Sequence, residues 1–311
     1  MRLTAIDIGT NTILMLIADL SSDGTFSVVR DEQVIARLGK GVDAHRKITP
    51  ETTERVIRFL RGFLDIAHPF HPDRIVACGT SALRDAVNGK EFVQSVRREL
   101  GLEIAIVSGD KEAELTYLGA ASEFLRPDSE KPFAVIDIGG GSTELTIGNG
   151  HAVKSKTSFD LGSVRLTERT LKKSPPALDA LNQAEKEIRH AISSLPKLPP
   201  GTLLTGVAGT ATTLAAIDLG LRDYDPRRVS GHELTLATVD RLSNQLGSLT
   251  IAQMAEIFPQ IQPGRSDIIF AGTLILKETL KYLKTDVVTV SDRGLRYGIA
   301  LREFLSSTSN A

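Results

Sequence analysis

Tryptophan is absent from this chain of 311 residues, aromatic residues make up 5% of it, and there is one cysteine, Cys78. A single cysteine excludes internal disulfides and thiolate metal clusters, and it fits a reducing, cytoplasmic setting. So few aromatics leave little from which to build a stacking slot for a planar ring. The net charge is −1, so no global basic field would recruit nucleic acid or a membrane surface. No apolar run approaches a membrane span. The start, Met1-Arg2-Leu3, reaches Asp7 too quickly for a secretory leader. What is present, 41% hydrophobic residues, suffices for the core of one large or two medium domains. A polyanionic ligand would have to be held by local charge.

Local charge and glycine meet in residues 134–148, AVIDIGGGSTELTIG. An apolar run ending in Asp137 is followed by Gly139, Gly140 and Gly141, then Ser142, Thr143 and Glu144, after which apolar alternation resumes. The pattern predicts strand, glycine turn, strand. A P-loop or dinucleotide fingerprint would instead run from the glycines into a helix. Consecutive glycines allow several backbone N–H groups to face one concavity, which suits an anion. Asp137 and Glu144 beside that anion call for a divalent cation, so the stretch predicts a metal-assisted phosphate site. A plain tight hairpin is the alternative, although it does not need three glycines.

The same pattern opens the chain. Ala5-Ile-Asp-Ile-Gly9 matches Val135-Ile-Asp-Ile-Gly139, and Asp7 with Gly9, Thr10, Asn11 and Thr12 forms a second candidate phosphate loop. This repeat predicts two related α/β domains, 1–125 and 126–311, each headed by one loop. The polar stretch 126–131 is the expected boundary, and the last helix, over about 295–305, is expected to pack back on the first domain. Thr49-Pro50 predicts a helix start. His68 and His71 lie in a proline-containing loop with no partner spacing for a metal. Ser108 or Asp110 would cap a helix carrying Glu112 in its first turn, and ordinary capping accounts for an acid there equally well. A strand over 202–207 runs through Gly209 and Thr210 into an apolar helix, a third anion-friendly terminus. A helix is expected over 265–283, and the tail from Ser306 is expected to be disordered.

Four stretches carry a resemblance: Gly79-Thr-Ser-Ala-Leu-Arg84, Ser108-Gly-Asp-Lys-Glu112, Asp137-Ile-Gly-Gly-Gly-Ser-Thr-Glu144 and Ser291-Asp-Arg-Gly-Leu-Arg296. In order and spacing the chain resembles, from about Leu3 to Leu305, the exopolyphosphatase and guanosine pentaphosphate phosphatase family. That family lies within the actin, heat-shock chaperone ATPase and sugar kinase superfamily. The resemblance implies two actin-like (ribonuclease H-like) domains with mixed sheets flanked by helices and an interdomain active-site cleft. It implies hydrolysis of a terminal phosphoanhydride, with inorganic polyphosphate as the expected substrate and guanosine pentaphosphate as the alternative. A small-molecule kinase and a silent sensor are the more distant readings. By the same resemblance Glu112 is the base that activates water and Glu144 assists it. Asp137 with Glu144 holds Mg²⁺ (or Mn²⁺), the glycine loops with Ser142 and Thr143 bind phosphate, and Arg84 stands beside the substrate. A homodimer is implied by the family alone. Repulsion between Glu112 and Glu144 would raise one pKa. A row of cations for a phosphate chain would draw on Lys40, Arg84, Lys111, Lys154, Lys156, Lys172, Lys173, Arg165 and Arg296. Tyr297 departs from the family's frequent glutamate after Gly-Leu-Arg. By the same resemblance the chain is expected to lack the C-terminal helical domain of longer members, which would imply a preference for short polymers.

Overall fold

The computed structural model describes residues 1–22 and 25–308. In chain order the elements are β1 (Arg2–Ile8), β2 (Thr12–Leu20), β3 (Phe26–Ile35), α1 (Val42–His45), α2 (Pro50–Ala67), β4 (Arg74–Gly79), α3 (Ser81–Asp85), α4 (Gly89–Leu100), β5 (Ile104–Ile106) and α5 (Gly109–Phe124). There follow β6 (Pro132–Ile138), β7 (Thr143–Asn149), β8 (Ala152–Phe159), α6 (Ser163–Arg169), α7 (Leu178–Ile192), β9 (Leu203–Val207) and α8 (Ala208–Asp218). The last are α9 (Pro226–Val229), β10 (Glu233–Thr235), α10 (Leu236–Gly247), α11 (Ile251–Ile257), α12 (Ile269–Leu283), β11 (Val287–Val290) and α13 (Leu295–Thr308). Two compact units result: unit 1 is Met1–Gly119 together with the residues from Leu295 onward, and unit 2 is Ala120–Gly294. No helix among the described residues is long and apolar enough to cross a membrane.

The sheet of unit 1 has the order β3-β2-β1-β4-β5. β1, β2 and β3 pair antiparallel, and β4 and β5 add parallel to β1. Unit 2 repeats this plan as β8-β7-β6-β9-β11, with β10 as an extra antiparallel edge. The expected fold class, two mixed sheets flanked by helices, is what the structure shows. The sequence repeat at Asp7 and Asp137 is therefore a repeat of whole sheets.

Strand alternation decides which side of each sheet faces which helix. In unit 1, Ile6, Ile8, Ile13, Met15 and Ile17 join one core with residues of α2 and α4, such as Leu60 and Val96. Leu3, Ala5, Leu16, Ala18 and Cys78 face the other way and pack with Leu115 of α5 and Leu295, Tyr297 and Ile299 of α13. Asp7, two residues on from Ala5, falls on the α5/α13 side. In unit 2, Ile136, Ile138, Leu145 and Ile147 belong to the large core with α7, α8 and α12. Asp137 and Glu144 fall on the opposite face.

Local chemistry sets the helix ends. Thr49 Oγ1 accepts from Thr52 N at 3.2 Å ahead of Pro50. Thr250 and Gln253 form a reciprocal capping box on α11. The helix expected over 265–283 begins only at Ile269, and α13 continues to Thr308, three residues past the expected end. Residues 306–308, expected to be disordered, are its last turn; the tail beyond them lies outside the described residues.

Candidate active site

The two glycine turns have one construction. Gly9 N donates to Thr12 O and Gly139 N to Ser142 O, each at 3.0 Å. In unit 2 the loop carbonyls are then tied down from behind by the start of α6. Ser163 N donates to Gly139 O at 2.9 Å, and Val164 N and Arg165 N donate to Gly140 O at 2.9 and 3.1 Å. The buried Arg165 adds Nε to Gly141 O at 2.7 Å. Gly162 must be glycine, because a Cβ there would lie 2.4 Å from Gly140 O. In unit 1 the segment after β3 does the same work, with Arg37 N on Asn11 O and Gly39 N on Thr10 O, both at 2.8 Å. With the carbonyls engaged, the N–H groups of Thr10, Asn11, Gly140, Gly141 and Ser142 have no protein acceptor among the described residues. Each loop is thus a set of free donors suited to an anion.

The carboxylates differ between the copies. Asp7 stands opposite Leu14, whereas its counterpart Asp137 stands opposite Glu144. Directly paired residues share a face with Cβ atoms about 5 Å apart, so unit 2 carries two carboxylates side by side. Both are buried, Glu144 to 2% exposure, and Ser158 Oγ donates to Glu144 Oε1 at 2.8 Å.

Glu112 lies at the start of α5. Ser108, not Asp110, caps this helix: its Oγ accepts from Lys111 N at 3.2 Å and its carbonyl from Glu112 N at 2.9 Å. An acid that merely favours a helix start would stand in solvent, but Glu112 is 8% exposed. Arg84 Nη1 donates to Glu112 Oε2 at 2.5 Å and to Val107 O at 2.9 Å. Burial pushes the Glu112 carboxyl above its ordinary value, and Arg84 opposes that shift. Cys78, in register with Asp7, is pushed up to about 12 by burial, with Asp7 and then Glu112 adding to the shift. Asp7 and Glu112 therefore share one neighbourhood in unit 1.

Other expected residues turn inward. Thr143 Oγ1 donates to Leu161 O at 2.5 Å, and Thr10 Oγ1 bonds Ser81 Oγ at 2.7 Å. Gly209 and Thr210 lie in the first turn of α8, where Gly209 O accepts from Arg265 Nη1 at 3.2 Å and the side chain of Thr210 packs on Gly272. Arg296 and Arg165, expected in a row of cations, are buried: Arg296 is bidentate on Asp31 at 2.8–3.2 Å, and Arg165 braces the glycine loop. Lys111 pairs with Glu114 at 3.2 Å.

A profile of the Ppx/GppA phosphatase family matches residues 16–307. The chain belongs to the Ppx/GppA phosphatase family. Among its family relatives, exopolyphosphatase 2 of Mycobacterium tuberculosis is 35% identical over 96% of this chain and 98% of its own. The solved Ppx/GppA family member of Aquifex aeolicus superposes with a TM-score of 0.84 at 30% identity, covering 99% of this chain and 98% of that one. A solved exopolyphosphatase-like protein gives 0.91 at 32% identity, covering 98% of both chains. Sequence reasoning missed Ser158, which faces Glu144 across the β7–β8 hairpin, and Ser81 and Arg265, which support Thr10 and Gly209 from far along the chain. Arg265 follows Pro263-Gly264 and carries no local signal of its contact with Gly209.

Proposed function

We propose that this phosphatase is an exopolyphosphatase, which transfers the terminal phosphoryl group of linear inorganic polyphosphate to water and releases orthophosphate. The observation that carries the reading is Glu112, a buried carboxylate paired with an arginine in the unit that holds the first anion loop. Hydrolysis of a phosphoanhydride needs the phosphoryl charge neutralised and a water positioned for in-line attack. In each unit the free N–H groups of the glycine loop supply fixed donors suited to phosphate oxygens. Arg84 spends Nη1 on Glu112 and Val107 and retains Nε and Nη2 for the substrate. Glu112 accepts the proton of the attacking water, a contribution of about 10²–10⁴-fold for a general base.

Asp137 and Glu144 would hold a divalent cation. Like charges directly across a strand pair repel one another, and a bound cation would offset that repulsion. Among the described residues no group of three or more His, Cys, Asp or Glu could hold a metal. That donor set fits Mg²⁺, which keeps several waters and shares its coordination with substrate phosphates, better than an all-protein cage. When bound, the cation neutralises charge on the phosphoryl oxygens. Glu144, oriented by Ser158, is a metal ligand in this reading and Glu112 is the base.

The test is phosphate release from short and long polyphosphates, from guanosine pentaphosphate, and from ATP with and without small hydroxylated acceptors. Mg²⁺ and Mn²⁺ are titrated throughout. Release from polyphosphate, abolished by chelation and lowered at least 10²-fold in Glu112→Gln, is the expected result. Release from the nucleotide alone, or an unchanged rate in Glu112→Gln, overturns the substrate or the base respectively.

A further inference from the structure

The motif after β11 ends in Arg296-Tyr297-Gly298, and the chemistry above uses none of these residues. All three lie in the first turns of α13 and are buried. Arg296 is bidentate on Asp31 of β3, and Tyr297 OH donates to the same carboxylate at 3.4 Å. The Tyr297 ring stacks on Phe26 with centroids 5.4 Å apart, and the Arg296 guanidinium lies 5.0 Å from the Tyr297 ring centroid. These contacts seat α13 on the sheet of unit 1. The next residue meets α5 backbone to backbone: a Cβ at Gly298 would lie 1.8 Å from Leu115 O and 2.5 Å from its carbonyl carbon. The obstacle is main chain, so no side-chain rotation could relieve it. Leu115 is one turn beyond Glu112 on α5, and Glu114 between them is gripped by Arg302 of α13 and by Lys111.

We propose that Gly298 is a positioning residue for Glu112: its bare Cα lets α13 lie against the first turns of α5 and holds the Glu112 carboxylate on Arg84. A helix interior normally favours alanine over glycine. Glycine here is explained by the closeness of the two helices. Any added side chain lifts the start of α5 away from α13 and carries Glu112 with it. A displacement on the order of 1 Å at a catalytic group costs about 10²-fold in rate. Tyr297, at the position where the family often has glutamate, fixes α13 from the other side through Asp31.

The positioning role for catalysis rests on Glu112 as the base, so the test needs a readout independent of turnover. Gly298→Ala is compared with the native protein by circular dichroism, by steady-state kinetics on polyphosphate, and by carbon-13 NMR titration of Glu112, assigned by its loss in Glu112→Gln. The expected variant is folded, with kcat lowered about 10²-fold, KM within about twofold, and the Glu112 titration displaced. A folded variant with native kcat and an unmoved Glu112 titration overturns the proposal. If Gly298→Ala does not fold, Arg302→Ala loosens the same pair of helices from their exposed side. A displaced Glu112 titration there supports the proposal and an unmoved one overturns it. If the native protein releases no phosphate from any substrate, the proposed function fails, and the titration alone still decides whether Gly298 places Glu112.

Discussion

A carboxyl group as deeply buried as Glu112 loses its proton less readily than one in water, because the charged form gives up hydration. Arg84 returns part of that loss, and the net direction is upward from 4.5. A general base works only when deprotonated, so activity should rise with pH along an acid limb set by Glu112. The expected outcome is a limb in kcat/KM lying above 4.5, the ordinary glutamate value. A limb at or below it, in a pH series with saturating Mg²⁺, would count against Glu112 as the base. Cys78 gives a second expectation at this scale. With its pKa at about 12 the thiol carries almost no thiolate at pH 8, and thiolate is the reactive form. Native protein should therefore react with Ellman's reagent far more slowly than protein in denaturant, by about 10³-fold or more.

Among the elements, the pairing of glycine loop and brace invites the sharpest test. Gly162→Ala places a methyl group 2.4 Å from Gly140 O and 2.6 Å from Gly141 N. Main chain cannot step aside cheaply, so the loop must shift. A stability loss of about 1–3 kcal/mol by urea unfolding is expected, with a larger fall in kcat/KM than stability alone explains. Near-native kinetics in this variant would mean the brace does not set the loop. The loops themselves were legible in the sequence because strand alternation and consecutive glycines are local signals, and the duplication followed from comparing two such stretches. The braces were not. α6 reaches Gly139 and Gly140 across the whole of β7 and β8, and nothing near Ser163 announces it. Arg165 reads as one of a row of cations for a phosphate chain because its partner, a carbonyl at Gly141, is invisible to pattern. Arg296 was misread for the same reason, its partner Asp31 lying at the other end of the chain. The position of Glu112 on a helix start was legible, but its burial and its pairing with Arg84 of α3 were not.

For the molecule as a whole, pH acts on stability through His151 in the β7–β8 turn. Its N–H donates to Pro127 O at 3.1 Å, its ring bonds the Leu125 carbonyl, and its Nε2 has no partner among the described residues. Burial lowers its pKa below 6.5. Above 6.5 the ring is neutral in folded and unfolded chains alike, and this group costs nothing. As pH falls through 6.5 the unfolded chain takes up the proton first, so stability drops until the folded pKa is reached. Native protein should lose more Tm between pH 7 and 5.5 than His151→Gln does; equal losses would remove His151 from the account. The chain order of the two units also bears on biosynthesis. Unit 2 is inserted into unit 1 between Gly119, within α5, and Leu295 at the start of α13, so a ribosome completes the five strands of unit 1 long before it makes their last covering helix. Until then Leu3, Ala5, Leu16, Ala18 and Leu20 form an apolar sheet face without α13, the kind of surface that draws nascent chains into aggregates or onto chaperones. Expression yield should therefore be most sensitive to the residue exchanges that loosen α13, Arg296 and Tyr297 among them, even where the finished protein tolerates them.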